Sequence, residues 1–181
     1  DETKRPLHVV SAFAHEFGVV LGQIACEEKS NEITAIPKLL EMLEITGCIV
    51  TIDAMGTQTE IAKKIRGKCA DYILSLKGNQ AGLYDDVKLF MDEYCKDKEA
   101  KNDDIYAYSL ENEHSRLEKR ECFICEDIGW LPGREKWTDL NGIGMIIAKV
   151  EENGKKTEQR HYFIYSCKNM TAQQIMRAKR A

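Results

Sequence analysis

No apolar run in these 181 residues approaches the roughly 20 needed to cross a bilayer as a helix. No charged-then-apolar leader pattern opens the chain either. These two absences argue against a membrane partner and point to a cytoplasmic protein. Basic excess is also missing: 26 Lys and Arg stand against 30 Asp and Glu, for a formal charge of −4. Without a global positive field, a stand-alone DNA-binding module is disfavoured. A catalytic domain whose DNA-gripping parts lie elsewhere stays open.

Other absences remove whole chemistries. The chain has no GxGxxG for a dinucleotide and no P-loop spacing for a nucleoside triphosphate. No Ser or Cys stands in a nucleophile-elbow context, so triad hydrolysis has no support. Seven cysteines form an odd, scattered set, which suits a reducing compartment better than a disulfide framework. The one CxxC, Cys122 and Cys125, falls in a strand-like run. Residues three apart on a strand face opposite sides, so the pair would chelate zinc poorly, and no second CxxC supports it.

What is present describes a globular domain: 43% hydrophobic and 31% charged residues in a length that fits one domain, or one domain with a sizeable insertion. "LHVVSAF" and "GVVLGQIAC", joined across "AHEFG", read as an antiparallel hairpin. A helix is predicted over about Ala35 to Ile45, from the spacing of Ile36, Leu39, Leu40 and Leu43, with Pro37 in its first turn and Gly47 ending it. "CIVTID" follows as a short strand of the kind buried on both faces, and Gly56 supplies a flexible turn. Thr57 and Glu60 stand in capping-box spacing before a helix that packs Ile61, Ala62 and Ile65. "DYILSL" then completes a strand–helix–strand crossover. A further helix runs from about Gln80 to Tyr94, with Leu83, Val87, Phe90, Met91 and Tyr94 on one face.

After the charged connector "KDKEAKNDD" the character changes to antiparallel strand, with Asn153-Gly154 marking a tight turn between the last two strands. Thr171 is the expected cap of a closing helix whose basic residues, Lys168, Arg177, Lys179 and Arg180, have no acid nearby in sequence and read most simply as a solvated face. The two ends, "DETKRPLHVV" without a starting Met and "MRAKRA" in mid-pattern, read as those of a piece of a longer protein. The layout fits a doubly wound nucleotide binder or a ribonuclease-H-like fold, and the opening hairpin leans towards the second.

Asp53 is the first candidate for chemistry. It ends a strand, where α/β folds place their sites, and a carboxylate offers the hard oxygen that Mg²⁺ prefers. The simpler alternative is that it caps the turn before the next helix. "LKGNQ" comes second: Lys77 and Asn79 around a Gly could contact phosphate oxygens, or merely form a polar strand-to-helix turn. Of the four histidines, His8 and His161 sit among apolar strand neighbours, where packing is the expected role, His15 lies in a loop, and His114 precedes "SRLEKR" with Glu111 and Glu113 nearby.

At "TIDAMGTQTEIAKKI" and "DYILSLKGNQ" the chain resembles the H-repeat-associated insertion-sequence transposases, a DDE family. "RPLHVVSAFAHEFGVVLGQ", "EKSNEITAIPKLLEML" and "HSRLEKRECF" resemble family segments in the same order, so the likeness covers nearly the whole chain. It implies a ribonuclease-H-like α/β fold, a mixed sheet flanked by helices, with core residues 1–100, a β-rich antiparallel insertion over 101–167 and the start of a core helix over 168–181. It further implies DNA strand cleavage and strand transfer, with DNA as partner and two Mg²⁺ or Mn²⁺ ions held by an Asp–Asp–Glu triad.

Asp53 matches the second aspartate of that triad. The first belongs to an Asp-Gly-Lys segment and the glutamate to a His-Trp-x-Ile-Glu helix, and neither motif occurs in these residues. The expectation is therefore a central part of a transposase that is inactive alone, its two-metal site empty. Arg116, Lys119 and Arg120 are further candidate DNA contacts, with solvated strand charge as the simpler reading. The competing function is a non-catalytic relic or domesticated interaction protein, and a parent gene lacking either other carboxylate would favour it. No residue pattern points to an oligomeric state.

Overall fold

The computed structural model describes residues 8–26, 32–97, 102–113 and 116–180. His114 and both chain ends lie outside the described residues. The opening hairpin forms as expected: β1 (His8–Ala14) pairs antiparallel with β2 (Val19–Cys26) through a single 3₁₀ turn closed by Gly18 at φ 64°. It is a separate two-stranded sheet, and its inner residues rest on α1 (Glu32–Met42), where Gly22 lets Leu39 and Leu43 approach. A two-stranded ribbon needs such support, because alone it buries too little.

The other six strands make one sheet in the order β3-β4-β8-β7-β6-β5. Strands β3 (Ile49–Ile52) and β4 (Asp71–Leu76) are parallel, joined through α2 (Thr59–Gly67). Every other pairing is antiparallel: β4 with β8 (Lys155–Tyr165), β8 with β7 (Gly142–Glu152), β7 with β6 (Arg116–Cys125) and β6 with β5 (Tyr106–Glu113). The chain thus forms a mixed α/β sheet in which the strand-rich second half continues the sheet of the first, through the pairing of Ile73–Leu76 with Tyr162–Tyr165. Asn153 and Gly154, at φ 49° and 74°, make the tight β7–β8 turn that their sequence announces.

Period-two alternation divides the sheet into two apolar faces. On one, α1, α2 and α3 (Ala81–Tyr94) cover Tyr72, Leu74, Phe123, Met145, Tyr162 and Ile164. On the other, α4 (Ala172–Arg180) covers Ile73, Cys122, Ile124, Phe163 and Tyr165. Cys122 and Cys125 fall on opposite faces, as strand geometry demands, and the described cysteines are all free.

Four local expectations need correction. The first helix starts earlier, at Glu32, so Pro37 lies inside it rather than in its first turn. Strand β3 is not buried on both faces, because it ends the six-stranded sheet and leaves Ile49 and Thr51 exposed. The Thr57–Glu60 capping box does not form: α2 begins after Gln58 without a side-chain cap, and the Thr57 hydroxyl is used elsewhere. Gly56 is needed for space and not for a left-handed turn, since an added Cβ would stand 2.4 Å from Ile52 Cγ2 and 2.7 Å from Ile36 Cδ1.

Candidate functional site

Asp53 follows β3 directly and is exposed at the C-terminal end of the parallel pair. Its Oδ1 accepts the backbone N–H groups of Met55 at 3.1 Å and Gly56 at 3.4 Å. That is the turn-capping role anticipated for it, yet it engages one oxygen. Among the described residues no hydrogen bond reaches Oδ2. Capping therefore fixes the carboxylate while leaving an oxygen for another partner.

The surrounding loop is braced from β4. The Thr57 hydroxyl lies 2.6 Å from the Ser75 carbonyl oxygen and 3.1 Å from that of Asp53, and donates between them. The segment after β4 adds two more clamps: the Asn79 amide donates to the Ala54 carbonyl and the Gln80 amide to the Thr57 carbonyl at 2.6 Å. These side chains satisfy carbonyls of an irregular turn, which would otherwise cost about 1–3 kcal/mol each if buried unpaired. The "LKGNQ" segment is thus the partner of the Asp53 loop, with Lys77 exposed at its edge.

The closing helix α4 reaches the same place from the opposite side of the sheet. Thr171 and Gln174 cap it reciprocally, the Thr171 hydroxyl accepting the Gln174 N–H at 3.3 Å and the Gln174 side chain accepting the Thr171 N–H at 2.9 Å. Ala172, Ile175 and Met176 anchor it on the sheet. Its last turn carries Lys179, whose ammonium donates to Ser75 Oγ and lies 5.8 Å from the centre of the Phe163 ring. Burial lowers the Lys179 pKa to about 8, and the nearby Asp53 charge partly counters that effect. The His161 side chain is exposed rather than packed in the core, and partial desolvation together with the charges of Lys179, Arg120 and Lys77 holds it below the ordinary imidazole value.

The sequence-derived candidates are thereby sorted. On the α4 side, Asp53 acts electrostatically on Lys179, and Lys179, Arg120 and Lys77 act on His161. Arg120 also pairs with Glu118, which takes Arg116 at 3.0 Å. Lys119, next to Arg120 in sequence, lies on the opposite face, 3.6 Å from the buried Glu121. The basic end is not without acids: Arg180 pairs with Glu111 of β5. Lys179, Ser75 and His161 were not identified from sequence as members of the site.

Among the described residues no three His, Cys, Asp or Glu side chains cluster as a metal would need. The donor set at Asp53 is a single carboxylate, which by itself does not fit a Mg²⁺ site.

Comparison with known families settles the kinship, since the transposase DDE domain family matches residues 1–175. The chain belongs to the transposase DDE domain family. It is 36% identical over 187 residues to the "H repeat-associated putative transposase YhhI" of Escherichia coli K12, covering 99% of this chain and 48% of that protein. A second protein of the same description, YbfD, is 44% identical over 124 residues, or 68% of this chain and 47% of its own length. A Xanthobacter autotrophicus protein encoded in the dhlA 3′ region is 36% identical over 162 residues, 90% of this chain and 54% of its own. The chain spans about half the length of these relatives.

Proposed function

We propose that this chain is the central part of a DNA transposase that cleaves and joins DNA strands by phosphoryl transfer, and that Asp53 is one of its metal-binding catalytic carboxylates. The observation that carries this reading is the placement of Asp53: it ends a strand of the parallel pair, is fixed through Oδ1, and keeps Oδ2 available, in a chain of the transposase DDE domain family. The reading includes a ribonuclease-H-like core in which β5 to β8 are the β-rich insertion. Magnesium or manganese is the expected cofactor of the whole protein. Because one carboxylate does not make that site, the present residues alone are expected to be inactive, the other ligands coming from the rest of the parent. Lys77 and Arg120 are retained as DNA contacts. Asn79 supports the site by bracing the Ala54 carbonyl.

The decisive experiment uses the full-length parent protein with DNA carrying the ends of its own element. Mg²⁺-dependent strand cleavage is expected, and Asp53→Asn should reduce it by about a hundred- to a thousandfold, as loss of a core electrostatic group does. Undiminished cleavage in the Asp53→Asn protein would remove Asp53 from the mechanism. A parent with no cleavage activity under any divalent cation would sink the enzymatic reading altogether.

A further inference from the structure

Lys179 is an unusual lysine for a helix that otherwise reads as amphipathic. Its stem is half-buried against the sheet, and its ammonium sits between the Ser75 hydroxyl and the face of Phe163. The ring is in place because β7 has glycine opposite it: a Cβ on Gly144 would stand 2.3 Å from the Phe163 ring and 2.9 Å from the Phe123 carbonyl oxygen. The sequence therefore gives up a side chain on β7 to let an aromatic platform lie flat under a cation. An ammonium has three donors, and among the described residues Ser75 is the one hydrogen-bond acceptor that Lys179 meets. Among the described residues no carboxylate lies within ion-pair distance of it, although burial of a charge ordinarily demands one. Asp53 is near enough to act on it electrostatically, and Lys77 and Arg120 add positive charge on the same side.

Building on the reading of Asp53 as a catalytic carboxylate, we propose that Lys179 is a phosphate-binding residue of the Asp53 site. Its ammonium, aimed by Ser75 and Phe163, takes a non-bridging oxygen of the nucleic-acid backbone beside Asp53, and Lys77 and Arg120 hold neighbouring phosphates. A lysine suits this role as a compact point charge with rotatable donors, and an incoming phosphate supplies the counter-charge that the fold itself does not.

The test is DNA binding by this chain, read by fluorescence anisotropy of a labelled duplex of about 20 base pairs and of a single strand of the same length, across a salt series. Lys179→Met keeps the length of the stem and a favourable contact with the Phe163 ring, so the fold should persist. This variant should bind about tenfold more weakly and lower the slope of log K against log salt by about one. Lys179→Arg should restore the slope, and Lys119→Met on the opposite face should leave both quantities as they are. An unchanged slope in Lys179→Met, failure of Lys179→Arg to restore it, or no measurable binding by the wild-type chain at low salt would each overturn the proposal. These outcomes are separable from the catalytic reading. That reading is decided by metal-dependent cleavage in the parent, and cleavage that survives alongside an unchanged binding slope would discard Lys179 alone.

Discussion

The two faces of the six-stranded sheet treat charge in different ways. On the face covered by α3, each cation at the open end meets a carboxylate: Arg160 lies 2.7 Å from Asp92 and 3.1 Å from Glu158, Lys149 lies 3.5 Å from Glu158, and Lys119 lies 3.6 Å from Glu121. The Tyr162 hydroxyl completes the network with a 2.7 Å hydrogen bond to Asp92. On the face covered by α4, Glu118 and Glu111 take Arg120 and Arg180, but Lys77 and Lys179 have no carboxylate at ion-pair distance among the described residues. Both faces are built from the same strands. One is a closed electrostatic structure and the other an open one, and only the open one holds Asp53.

Lys119 and Arg120 show how sharp the division is. They are neighbours in sequence, and a basic stretch read along the chain groups them as one patch. The strand pleat sends Lys119 to the α3 face and Arg120 to the α4 face, because successive side chains point to opposite sides. A functional claim about one therefore says nothing about the other.

The comparison can be broken first through the cores. Phe123 supports the α3 face and Phe163 the α4 face, and both are fully buried. Replacing either with Ala should cost about 3–5 kcal/mol of stability in urea unfolding. Only Phe163→Ala, assayed under conditions where the variant stays folded, should also weaken DNA binding. Equal binding by both variants would remove the platform role assigned to Phe163.

A smaller effect is expected from opening the closed face. Asp92→Ala leaves the Tyr162 hydroxyl without its acceptor and Arg160 with Glu158 alone, and should cost about 1–3 kcal/mol. Burial works against ionisation of Asp92, but hydrogen bonds from Tyr162, Arg160 and Lys88 outweigh it and hold its carboxyl below the usual range. A depressed carboxylate contributes stability that is present above its unfolded pKa and lost as pH falls through the folded one. The wild-type protein should therefore lose this stabilisation in acid below the ordinary Asp range, and Asp92→Ala should flatten that part of the stability–pH curve. A curve of unchanged shape would assign the acid sensitivity elsewhere.

His161 sharpens the comparison from the open side. Its pKa is lowered by partial desolvation and by Lys179, Arg120 and Lys77, so the unfolded chain binds a proton more readily than the folded one. Its contribution is therefore intact above the ordinary imidazole pKa and declines as pH falls through that value. Removing the charge with the largest effect among these with Lys179→Met should move the His161 pKa upward, towards its ordinary value, in an NMR titration. Lys119→Met should leave it in place. The smallest effect is expected at the exposed Lys156–Glu151 pair, 3.3 Å apart near the β7–β8 turn, where Lys156→Ala should change stability by no more than about 0.5 kcal/mol.

Much of the local structure was legible in advance. The opening hairpin, the strand–helix–strand crossover, the Asn153-Gly154 turn, the Thr171 cap and the splitting of Cys122 from Cys125 all follow from turn chemistry and periodicity acting over a few residues. The misjudged features share a different cause. The apolar run at β3 suggests burial on both faces, but burial depends on what packs above and below the strand, which four residues cannot specify. The Thr57–Glu60 spacing permits a capping box, yet the Thr57 hydroxyl finds the carbonyls of Asp53 and Ser75, the second of which is brought to it by the parallel pairing of β3 with β4.

The candidate site divides along the same line. Asp53 stood out from sequence because its strand-end position and the family resemblance both act locally along the chain. Lys179 did not, because Ser75, 104 residues earlier, is what orients it. Local pattern along the chain is enough to set which segments become strands and helices, and which face each side chain takes within its strand. The edge of the sheet, the pairing of charges and the lysine on which Asp53 acts are set by how the strands assemble. Those outcomes depend on sheet order and register, and these join residues whose separation in sequence carries no local signal.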